Sequence, residues 1–184
     1  MNSQFRHDNL IIVICLLFML FIVGCSSKVI NGSSSGYDTI NSERVSLNNA
    51  IFILNDDERG LGMGRQAYTV HNIIGKNLTP DGKAASWALS VNSQDPFYFF
   101  YTPYQYYTVK WMETEKDRSI DLEKIIFPDG LFSKHTQLIA NLSSHSEFTI
   151  DELQLRNGVY RLSGSQEGKA WEYTFDAVTG NQLP

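Results

Sequence analysis

In Ala170-Trp171-Glu172-Tyr173-Thr174-Phe175-Asp176-Ala177, aromatic rings alternate with polar side chains. Successive side chains on a strand point to opposite faces, so the stretch predicts a strand with Trp171, Tyr173 and Phe175 buried and Glu172, Thr174 and Asp176 wet. Before it, Gly164 to Gly168 reads as a turn and Val159 to Ser163 as a strand. That strand joins Glu152 to Leu155 through Asn157-Gly158, a dipeptide suited to a tight hairpin. Further upstream, Leu131, His135, Leu138 and Leu142 recur at i, i+4, i+7 and i+11, with Phe132 and Ile139 widening the stripe. This spacing predicts an amphipathic helix beginning near Asp129.

The preceding half reads the same way. Ser46 is a good N-cap, and Leu47, Ala50, Ile51 and Leu54 follow as one helical stripe, ended by Asp56-Asp57-Glu58-Arg59-Gly60. Ala67 to Leu78 and Ala84 to Val91 flank the turn Thr79-Pro80-Asp81-Gly82, with Trp87, Leu89 and Val91 on one face. Phe97 to Tyr101 and Tyr106 to Trp111 pair through Thr102-Pro103-Tyr104-Gln105. The order of helix, strands, helix, strands predicts an α+β fold of two similar units, each one helix on a small antiparallel sheet. The units cover 45–125 and 126–184. A short self-similarity supports the repeat: Gly82-Lys83-Ala84-Ala85-Ser86-Trp87 against Gly168-Lys169-Ala170-Trp171.

The N-terminal segment decides location. The uncharged apolar run from Leu10 to Val23 is 14 residues long, short of the roughly 20 a membrane-spanning helix needs. It reads as the core of a signal peptide. Ile22-Val23-Gly24-Cys25-Ser26 resembles the lipobox of prokaryotic lipoproteins: aliphatic at −3, small at −1, then the thiol. The resemblance implies diacylglyceryl transfer to Cys25, removal of the signal peptide 1–24 and anchoring in the cell membrane or outer membrane. A second acyl chain such as palmitate would make the anchor durable, since one chain binds only marginally. Residues 25–44 are rich in Ser, Gly and Asn and read as a flexible tether.

The chain has two cysteines. Cys15 lies in the segment to be removed and Cys25 would carry lipid, so the mature domain offers no thiol for a disulfide, a catalytic thiolate or a metal. Stability must come from a packed core, and about 160 residues suffice for one. The acidic balance, with net charge −5 and pI near 5.3, argues against nucleic acid, whose phosphates call for a basic face.

Val159-Tyr160-Arg161-Leu162, the strand from Trp171 and the closing Asp176-Ala177-Val178-Thr179-Gly180 together resemble a PepSY domain, a cystatin-like arrangement of a helix on a curled sheet. In that turn Asp176 can cap the backbone and Gly180 can adopt positive φ. The resemblance covers about 50 residues, the rest only in outline. It implies an extracytoplasmic, non-catalytic module with an inhibitory or binding role toward an envelope protein, including a protease.

Catalytic and metal chemistry find no pattern. His71, His135 and His145 stand at no metal-pair spacing, and no Gly-x-Ser-x-Gly, phosphate loop or His-Glu-x-x-His occurs. Ser144-His145 are sequence neighbours, which a strand would turn to opposite faces. The acids at Asp56, Asp57, Glu58 and at Glu113, Glu115, Asp117 lack the spacing of a calcium loop. The expectation is a protein that is not an enzyme and has no cofactor and no bound metal.

Phe97 to Tyr107 holds eight aromatic rings in eleven residues. A strand buries only alternate residues, so some of these rings must line a second surface. Tyr98, Phe100, Tyr104, Tyr106 and Tyr107 are the candidate binding residues, for an envelope protein or peptide or, alternatively, a glycan or small ligand. The bilayer interface is a third environment where such rings settle. Asn31, Asn77 and Asn141 begin Asn-x-Ser/Thr sequons, relevant only where exported proteins are glycosylated.

Overall fold

The computed structural model describes residues 44–56, 68–110, 117–144 and 147–184. The lipobox, the tether up to residue 43, Asp57, Glu58, Trp111, Glu113, Glu115 and His145 lie outside them. The elements in order are α1 (Leu47–Asn55), β1 (Thr69–Leu78), β2 (Ala84–Asn92), β3 (Phe97–Tyr101), β4 (Tyr106–Lys110), α2 (Pro128–Lys134), α3 (Thr136–Ser143), β5 (Thr149–Arg156), β6 (Val159–Gln166) and β7 (Lys169–Asp176).

The expectation of two PepSY/cystatin-like units, each one helix on its own small sheet, is corrected by the topology. All seven strands form one antiparallel sheet in the order β4-β3-β2-β1-β5-β6-β7. The seam is the β1–β5 pairing, with Ile73 opposite Leu155 and Gly75 opposite Leu153. An open edge on each half would leave a row of backbone N–H and C=O groups unpaired, and joining the edges satisfies both rows. It also fuses the cores. One row of directly opposed residues, Phe99, Leu89, Ile73, Leu155, Tyr160 and Phe175, crosses six strands. Each is at most 1% exposed.

Helices α1, α2 and α3 supply further side chains to the same core. In α1 the Ser46 Oγ accepts the Asn49 N–H at 3.2 Å, and Leu47, Ala50, Ile53 and Leu54 are buried. The single helix expected from Asp129 onward is two helices. His135, at φ −107° and ψ 31°, ends α2 and begins α3. Its Nε2 lies 2.7 Å from the Gly180 carbonyl oxygen and its ring sits 4.6 Å from that of Phe175. The break turns both apolar stripes, Leu131 and Phe132 on α2 and Ile139 on α3, onto one curved sheet.

The Asp176–Gly180 turn forms as its residues predict. One Asp176 carboxylate oxygen accepts the N–H groups of Val178 (3.1 Å) and Thr179 (2.7 Å) and the Thr179 hydroxyl (2.8 Å), and Gly180 has φ +66°. The Thr179 backbone and hydroxyl donors hold the carboxyl below the usual range, against a weaker effect of burial. The loop is then fixed to α2, whose Lys134 Nζ donates to the Thr179 carbonyl (2.6 Å) and the Asn181 amide oxygen (2.9 Å).

Candidate functional site

Register distributes the aromatic run. Phe99, Tyr101 and Tyr106 point into the core, at 0%, 8% and 2% exposure. Tyr98, Phe100 and Tyr107 take the opposite, open face and are half-buried. There the Phe100 and Tyr107 rings stack at 4.9 Å and 14°, and Tyr98 tilts against Phe100 at 6.2 Å. Tyr104 lies in the β3–β4 turn, 75% exposed. Of the five predicted surface residues, the structure therefore brings three into one patch, sets Tyr104 at its end and moves Tyr106 to the core. The reason is pairing: Tyr106 is directly opposite Tyr101, and opposed residues share a face.

The open face is graded across the sheet. Ile74 and Ala88 continue the row of Phe100 and Tyr107, and Val109, 44% exposed, stands opposite Tyr98. Beyond β1 the same rows turn polar, with Gln154, Arg161 and Thr174, a Lys76–Glu152 ion pair and Arg161 Nε 3.4 Å from Glu172. The aromatic part of this face lies on the β4 side.

That side is also a backbone edge. The Thr102 N–H reaches the Gln105 carbonyl at 2.9 Å. Alternation then makes Phe100–Tyr107 and Tyr98–Val109 the hydrogen-bonded pairs and turns the backbone groups of Thr108 and Lys110 away from β3. Among the described residues no strand pairs with this outer edge. The other edge is partly capped by the chain's own tail: Asp176 N–H donates to the Asn181 carbonyl (2.9 Å) and Leu183 N–H to that of Thr174 (2.8 Å).

The two described histidines, His71 and His135, take structural places. His71 occupies a β1 bulge, its Nδ1 2.7 Å from the Asp117 carbonyl oxygen and its Nε2 2.9 Å from the Thr69 hydroxyl. Asp117 itself holds Arg156 Nε at 2.5 Å and accepts the Asn157 amide at 3.1 Å. Among the described residues no three His, Cys, Asp or Glu side chains come together as a metal site. No described helix is long and apolar enough to cross a membrane.

A concavity that no sequence motif announced lies on the helical side. It is an open groove of about 530 Å³ between the β1–β2 turn and the α2–α3 pair. Its two walls are some 50 residues apart in the chain, so no local pattern announces it.

No protein-family model matches the chain, and no curated protein matches it. Among solved structures it is similar to that of a lipoprotein candidate from Clostridium difficile 630, at 12% identity and a TM-score of 0.49, over 78% of this chain and 93% of that one. Nothing about a site or a partner is transferred at that level of likeness.

Proposed function

We propose that this protein is a lipid-anchored, extracytoplasmic, non-catalytic binding module that receives an extended segment of an envelope polypeptide along β4. The observation that carries the reading is the coincidence of two features on one edge: the Tyr98, Phe100 and Tyr107 patch, and the outward backbone groups of Thr108 and Lys110. A strand added there gains main-chain hydrogen bonds from the edge and side-chain contact from the rings. Tyrosine and phenylalanine provide that contact with little conformational freedom to lose. The anchor rests on the lipobox-like Ile22 to Ser26 and the short apolar run before it. An inhibitory role, with a protease as partner, rests only on the sequence resemblance of Asp176–Gly180 to the closing turn of PepSY domains.

Co-purification from gently solubilised membranes, set beside titration with a glycan panel, tests this. A stoichiometric protein partner lost in both Thr108→Pro and Phe100→Ser variants, with no glycan affinity, supports it. Proline removes an outward N–H and leaves the internal ladder whole. Glycan binding that falls with Phe100→Ser and ignores Thr108→Pro would replace it with the carbohydrate reading.

A further inference from the structure

The edge strand β4 is complementary to itself. Its outward backbone groups belong to alternate residues, Thr108 and Lys110 among them. Laying a second β4 antiparallel along that edge, about a twofold axis through Thr108, is the register that pairs the whole of Tyr106–Lys110. Thr108 then stands opposite its own copy, and the two exchange both main-chain hydrogen bonds. Tyr107 stands opposite Val109 of the second copy, and Val109 opposite its Tyr107. Threonine pairs and aromatic with β-branched pairs are favourable cross-strand neighbours. The charges agree as well: Lys110 meets Tyr106 of the second copy and is roughly 13 Å along the strand from the other Lys110.

The twofold axis is perpendicular to the sheet, so the two open faces become one. Within each copy Ala88 is opposite Phe100, Phe100 opposite Tyr107 and Tyr98 opposite Val109. Joining the edges continues one row from Ala88 through Phe100 and Tyr107 to Val109 and Tyr98 of the second copy. Val109, 44% exposed, gains a tyrosine ring on its outer side. The other edge is a poorer acceptor, because the chain's own tail lies along β7 beside Thr174 and Asp176. The contact of β4 with β4 is isologous and closes at two copies, whereas β4 on β7 would run on into a fibre.

We propose that the segment received along β4 is β4 of a second copy of this chain, which joins two seven-stranded sheets into one. This rests on the reading of β4 as a receiving edge and names its occupant. The turn at Asp176–Gly180, on which an inhibitory role rests, lies beside β7 at the opposite edge and is left open.

The test uses the full chain purified from membranes in a mild non-ionic detergent. In the proposed register Tyr107 and Val109 of different copies form a non-hydrogen-bonded pair, with Cα atoms about 4.5 Å apart and within disulfide reach. Each faces its own copy only diagonally, about 8 Å away. Oxidised with copper phenanthroline, a mixture of Tyr107→Cys and Val109→Cys chains should give several-fold more linked dimer than either variant alone. Thr108→Pro in both chains should abolish the link. The unsubstituted chain controls for links through Cys15 or Cys25. It should sediment at twice the monomer mass, and Thr108→Pro as a monomer. No excess link in folded variants, a monomeric unsubstituted chain, or a dimer that persists in Thr108→Pro would each overturn the proposal. If benzoylphenylalanine at position 109 then still captures a polypeptide of another mass in cells, the reading of β4 as a receiving edge survives; if it captures none, both fall.

Discussion

The indole of Trp87 lies over Gly75, its partner on the neighbouring strand: a Cβ on Gly75 would stand 2.5 Å from the ring. The Trp87 Nε1 also donates to the Val45 carbonyl at 2.8 Å, so the ring cannot easily move aside. Gly75→Ala is expected to cost about 1–3 kcal/mol, the usual range for overpacking, as read by urea unfolding. In a Trp87→Leu background that added cost falls close to zero.

The same pairing recurs between Trp171 and Gly164, with a difference that can be measured. A Cβ at Gly164 meets the Trp171 ring at 2.4 Å and also the Thr149 backbone oxygen at 2.0 Å. Backbone cannot yield as a side chain can, so Trp171→Leu does not rescue Gly164→Ala. Thermal unfolding of the single and double variants separates the two cases.

These two tryptophans also show what was legible in the sequence. Period-two alternation placed Trp87, Leu89, Val91 and Phe175 on the buried face, whereas Trp171 and Tyr173, expected to be buried beside Phe175, are only partly so. The repeated Gly-Lys-Ala, read as a sign of two similar units, is overturned by the single sheet. Asn157-Gly158 formed its tight turn, with φ of 53° and 80°. The β1–β5 seam was not legible, because Ile73 and Leu155 are joined by no local pattern and only the need to close two open edges pairs them. The helix break at His135 was hidden for a similar reason: its anchors, Gly180 and Phe175, come from the far end of the chain. In the candidate surface, composition identified the aromatic run, but only the Tyr101–Tyr106 register decides that Tyr106 faces inward.

Tyr160 gives a prediction at alkaline pH. It is buried, its hydroxyl donates to the Ile126 carbonyl at 2.8 Å, and burial, reinforced by the Asp129 charge, pushes its pKa well above the usual tyrosine value. A folded-state pKa above the unfolded one means this stability is intact below about pH 10 and is lost as pH climbs beyond it. Tyr160→Phe should cost about 1 kcal/mol at neutral pH and flatten the alkaline fall in urea midpoint. Tyr68, also raised by burial, leaves a residual slope.

Asp176 behaves in the opposite sense. Its carboxyl is held low by the Thr179 donors, so its contribution is present above the unfolded value near 4 and disappears as pH falls through the lowered one. Asp176→Ala should lower the melting temperature at pH 7 and shrink the gap from wild type at pH 2. Thermal scans across that window check both signs.

The anchor is tested by the N-terminus itself. Intact-mass analysis of membrane-extracted protein should find a chain beginning at Cys25 with acyl groups attached. Cys25→Ser should leave the precursor unacylated and uncleaved.

The most direct measurement places a photo-reactive benzoylphenylalanine at Val109, beside the aromatic patch, and another at Glu172, on the same face near the opposite edge, in living cells. Binding along β4 predicts one discrete polypeptide cross-link from position 109, absent from position 172 and abolished by Thr108→Pro. Equal labelling from both positions, or a cross-link at 109 that ignores Thr108→Pro, would contradict it.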